Sequence, residues 1–100
     1  MRGGRGRTKD DIQYRAFNKE TGMIEWPPYI YQLNLAKYIP MKFTNIHDKS
    51  GTQVFEGDIV ERDGKRKVIE VGFNGSFPED EDIEGYEVIG DIYQHPYLLS

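Results

Sequence analysis

The chain has 100 residues, 37% of them hydrophobic and 30% charged, with 13% aromatic and no cysteine. This predicts one folded domain with its own core and excludes a disordered chain, thiol catalysis and thiolate metal centres. The net charge of −4 is unevenly placed: Arg2, Arg5, Arg7 and Lys9 lead the chain, leaving nine cations against seventeen acids in the rest.

In chain order, residues 1–11 read as a flexible basic arm, Gly-rich with nothing apolar to bury, ahead of a single β domain over 12–100. The arm has no apolar stretch behind it, so it is not read as a secretory signal, and no apolar run is long enough for a membrane helix. A cytoplasmic protein is expected. Ile12, Tyr14 and Ala16 alternate with Gln13 and Arg15, as in a half-buried strand. Turn residues from Asn18 to Gly22 lead into a second strand, Met23 to Trp26, which Pro27 and Pro28 stop. Residues 29–39 support two readings. Tyr31, Leu33 and Leu35 alternate as in a strand, whereas Ile30, Leu33 and Lys37 share one side of a short helix; the alternation favours the strand.

A strand over Met41 to Ile46 meets a turn at Asp48 to Gly51. Thr52 to Phe55, the turn Glu56-Gly57-Asp58 and the strand Ile59 to Arg62 follow. Asp63-Gly64 is a strong two-residue hairpin signal, with Lys67 to Phe73 as the returning strand. Asn74-Gly75 marks another turn, and an acidic loop runs from Glu79 to Gly85. Tyr86 to Ile89 is a last strand, with a bulge at Gly90 and continuation through Ile92-Tyr93. His95 to Leu99 bring apolar groups that are expected to dock. Turns at such short spacing predict an all-β domain, a small antiparallel barrel or sandwich, over any βαβ arrangement.

Three stretches carry a family likeness. They are Ile12 to Glu20; Phe43 to Gly51 running on through Val54 to Val60; and Tyr86 to Tyr93 with Pro96, Leu98 and Leu99. In order and approximate spacing they resemble the YopX-type proteins of bacteriophages and prophages. The resemblance implies a compact β fold containing an SH3-like barrel of short hairpin-connected strands, a phage or prophage origin, and residence in the bacterial host cytoplasm. It implies no activity, since none is established for the family. Asn45 stands where the family usually has Gly, so a positive φ there rests on Asn's tolerance of that region. Residues 26–41 and the arm lie outside the likeness. Glu56-Gly57-Asp58 reads as a diverging turn, with Gly57 serving the backbone and Asp58 bonding nearby amides.

Catalytic material is sparse. Ser50, Ser76 and Ser100 make no convincing pair with His47 or His95, and two isolated histidines have no metal-ligand spacing. The expectation is a non-enzymatic protein without cofactor or metal. Asp80, Asp82, Glu84 and Gly85, with Asp91 further on, imitate calcium-loop spacing, but Pro78 before the loop, the following strand and Glu87 argue against it. The five carboxylates Glu79, Asp80, Glu81, Asp82 and Glu84 read either as a solvated loop or as a surface that occupies a basic cleft on a host or defence protein. Arg2, Arg5, Arg7 and Lys9 look like Arg-Gly segments that bind nucleic-acid backbones, or else form a solubilising terminus. Trp26 and Tyr29 are expected at a surface edge, while most other aromatics fill the core. Together these features predict a protein-interaction module that contacts a host or phage protein, with homo-oligomerisation left open. The alternative is a nucleic-acid-binding accessory protein using the arm and exposed aromatics.

Overall fold

Each strand pairs antiparallel with its neighbours, as the short turns require. In the computed structural model, which describes residues 13–26, 34–78 and 82–100, the strands are β1 (Tyr14–Asn18), β2 (Met23–Glu25), β3 (Tyr38–His47), β4 (Gln53–Phe55), β5 (Asp58–Arg62), β6 (Lys65–Val68) and β7 (Glu87–Asp91). One sheet has the order β2-β1-β3-β4 and the other β6-β5-β7. The protein is all-β: a curled half-barrel sheet with a second small sheet. Among the described residues, helical geometry is confined to 3-10 turns at Ile83–Gly85 and Pro96–Leu99.

Local chemistry explains the hairpins. The buried Asn18 closes the β1–β2 turn, its side-chain oxygen accepting the Glu20 amide at 2.9 Å and its carbonyl the Gly22 amide at 2.8 Å. Asp63 and Gly64 both have positive φ, 51° and 82°, the conformation that a two-residue type I′ turn demands. Asn45 takes φ 67°, a left-handed conformation that Asn tolerates. It sits in the register shift between Phe43 and Ile46, where β3 bends from its pairing with β1 toward β4. That bend curls the first sheet.

Two apolar clusters fill the interior. One gathers Val54, Val60, Ile69, Phe77, Ile83 and Tyr86; the other holds Met41, Phe43 and Phe55. Buried Asp48 ties the β3–β4 turn to β7. One of its oxygens accepts the Ser50 and Thr52 amides and the other accepts the Val88 amide at 2.8 Å. The bulge expected at Gly90 is present, as a register shift between Ile59 and Val60 opposite β7.

Three expectations need correction. Residues 34–37 form a turn and not a strand, because the Asn34 carbonyl accepts both the Lys37 and Tyr38 amides; residues 29–33 lie outside the described residues. The returning strand ends at Val68 instead of reaching Phe73. Ile69 bonds the Gly57–Asp58 backbone, Phe73 then closes a turn onto Glu70, and Val71 is left 87% exposed. Ile92-Tyr93 does not prolong the last strand, because the Asp91 carboxylate accepts the Tyr93 and Gln94 amides and turns the chain. The carboxy-terminal segment docks in part, as expected: Arg66 donates to the Leu98 carbonyl at 2.8 Å and Leu98 lies against Gly90, while Tyr97 stays 65% exposed.

Candidate functional site

Of the acidic loop, Asp82 and Glu84 are described and exposed. Asp82 bridges to Ser76, and Glu84 stands in the 3-10 turn between buried Ile83 and Tyr86, which directs it outward. Glu79, Asp80 and Glu81 lie outside the described residues, as do Arg2, Arg5, Arg7, Lys9 and Tyr29. Trp26 is 60% exposed and meets Phe55 edge-on at 5.4 Å, the surface position expected of it. His47 packs edge-on against Phe43, and His95 Nδ1 accepts the Asp91 amide at 3.1 Å. Among the described residues, no three His, Asp or Glu side chains gather in a way that could hold a metal ion.

The structure draws together residues that the sequence scatters. The Gly57 amide donates to the Ile69 carbonyl at 2.7 Å, and the Gly57 carbonyl accepts the Ile92 amide at 2.9 Å. The β4–β5 turn is thereby clamped between the segment leaving β6 and the turn leaving β7. Beside the clamp opens a cleft of about 360 Å³ lined by Pro40, Glu56, Gly57, Val68, Ile69, Glu70, Val71, Ile92 and Tyr93. That volume sits at the lower end of ligand-binding clefts, which run from about 300 Å³ upward.

Its walls have specific causes. Gly57 has φ 95°, and a Cβ there would lie 3.1 Å from the Tyr93 ring and 3.2 Å from the Met41 methyl, so glycine lets the ring settle on the backbone. Phe17 stacks on Tyr93 with centroids 5.3 Å apart. The Phe43 amide on β3 bonds the Gln13 carbonyl, and the carbonyl of Lys37 just before β3 takes the Lys19 amide, so odd-numbered residues direct their backbone to β1. Pro40 therefore faces the opposite edge, where it supplies a carbonyl and no donor. Glu56 uses one carboxylate oxygen to accept the Gly72 amide at 3.1 Å. Glu70 is exposed at the rim.

The cleft is electrically one-sided. Among the described residues, two carboxylates and no Lys, Arg or His line it. Burial, then the charges of Asp91 and Glu56, push the Tyr93 hydroxyl above its usual range. The amides of Gly57, Ile69 and Ile92 are already spent on backbone bonds.

Behind it lies Asp58, fully buried and pushed up to about 6 by desolvation, with Arg15 and the Phe55 amide pulling the other way. One oxygen pairs with Arg15 and the other takes the Phe55 amide, so this carboxylate is engaged on both sides and closed to solvent. It serves the fold. Sequence reading missed the cleft because Glu56 and Gly57 registered as a turn, Glu70 as part of a strand and Pro40 as unfamiliar chain. Long-range bonds at Gly57, together with those of Glu56 to Lys42 and Gly72, bring them together. No protein-family model matches this chain, nor does any curated protein.

Proposed function

We propose that the chain is a non-catalytic protein-interaction module of the phage and prophage type that its sequence resembles, acting on a host or phage protein in the bacterial cytoplasm. The observation that carries this reading is the cleft beside Gly57. It is open, has an aromatic wall, and is rimmed by Glu56 and Glu70. Such a surface suits recognition of a protein segment, with apolar contact for affinity and fixed charge for selectivity. Asp82 and Glu84 add exposed carboxylates on the segment leading into β7.

The test is a pull-down from phage-infected host lysate with nuclease present, using the intact chain and a form lacking residues 1–9. One partner protein retained by both forms supports the module. Replacing Glu79, Asp80, Glu81 and Asp82 by Gln or Asn then reports whether the acidic loop takes part. Nucleic acid recovered by the intact form alone, and lost steeply with salt, would overturn the module in favour of the basic arm.

A further inference from the structure

Resting on the interaction-module reading, we infer that the cleft beside Gly57 receives the guanidinium of an arginine carried on an extended segment of the partner protein. The lining selects for this chemistry. Glu56 keeps one carboxylate oxygen unbound to Gly72, Glu70 makes no ion pair among the described residues, and Pro40 adds an acceptor-only edge. Acceptors outnumber donors, so the fitting ligand is a cation rich in N–H groups.

The aromatic wall favours arginine over lysine. A guanidinium is planar, stacks on a tyrosine ring and meets a carboxylate with two parallel hydrogen bonds, whereas an ammonium is a compact, strongly hydrated point charge. Tyr93 is held for such stacking: Phe17 backs it and Gly57 seats its edge. Val71, 87% exposed, and Ile92 flank the opening and suit the arginine's methylene stem. Pro40 also disfavours a competing mode, since an edge without its N–H is a poor template for an added β-strand.

The probe is the peptide acetyl-Gly-Ser-Arg-Ser-Gly-amide, titrated into the isotope-labelled intact chain and followed by amide chemical shifts. Matched peptides carry lysine or the neutral isostere citrulline. Arginine-dependent shifts are expected at Gly57, Glu70, Val71, Gly72, Ile92 and Tyr93, with affinity reduced about fivefold for citrulline and for E56Q/E70Q, the scale of a screened ion pair. Thermal unfolding of E56Q/E70Q establishes that the variant is folded. Shifts absent from these residues, or equal for arginine and citrulline, would overturn the assignment. The lysate experiment separates the two readings. A partner captured equally by wild type and E56Q/E70Q removes the arginine cleft and leaves the module standing. Localised arginine shifts without any captured protein keep the arginine selectivity of the cleft but overturn its assignment to a partner segment along with the broader reading.

Discussion

Arg15 on β1, partly buried, and Asp58 on β5, fully buried, form an ion pair that joins the two sheets. The guanidinium lies over the Phe55 ring, 4.4 Å from its centroid, while the second Asp58 oxygen accepts the Phe55 amide at 2.7 Å. A charge that alternation assigns to the solvent face is thus turned into the interior. Arg15 Nε is buried without a hydrogen-bond partner, so the pair has little slack in its satisfaction.

Asp58→Ala should lower unfolding stability by about 3–5 kcal/mol, because it strands the partly buried guanidinium and the Phe55 amide together. Asp58→Asn retains an acceptor for that amide and should cost less. Urea unfolding of both variants checks the order; equal losses would show that the amide bond contributes nothing separate.

The pH dependence of stability follows from the same carboxyl. Its folded value, about 6, lies above the ordinary 3.8. Between these values the folded chain holds a proton that the unfolded chain releases, so this contribution is complete below 3.8 and lost as pH rises through about 6. Glu25 acts in the opposite sense. Hydrogen bonds from Asn18 and Tyr38 hold its carboxyl below 4.5, so its contribution is present above that value and lost as pH falls through its lowered value. Melting temperature should therefore rise from about pH 7 to about pH 5 in the wild type and rise less in Asp58→Asn. Parallel curves for the two proteins would contradict the assignment to Asp58.

Gly57→Ala should destabilise by about 1–3 kcal/mol, combining backbone strain at positive φ with crowding against Tyr93 and Met41. Because the same residue seats the Tyr93 ring, the ring's chemical shifts should move as well. A stability loss with an undisturbed Tyr93 would mean that strain alone is at work.

Asn45 offers a graded test of the β3 bend. Asn45→Gly should be tolerated within about 0.5 kcal/mol, since glycine accepts positive φ but costs chain entropy. Asn45→Val should cost about 1–2 kcal/mol, the penalty of left-handed backbone for a residue with a crowded Cβ. Similar stability of the two variants would show that the bend is absorbed by neighbouring residues.

Much of the local architecture was legible in the sequence because it depends on local chemistry. Asp63-Gly64 specifies its turn through two residues that accept positive φ, Asn45 accepts the conformation left to it, and the turn residues around Asn18 and Asp48 mark the hairpins. The same locality explains the failures. Ile69 to Phe73 carries the β-branched pattern of a strand, but after Val68 its backbone is claimed by Gly57 and Asp58, and then by its own turn. Ile92-Tyr93 reads as strand until the Asp91 carboxylate captures its amides. Composition and alternation determined an all-β chain with an acidic body. Tertiary structure alone decided that Arg15 points inward and that Pro40, Glu56, Glu70 and Tyr93 share one cleft. Those placements depend on hydrogen bonds and charge pairing between segments far apart in the chain, which no local pattern encodes.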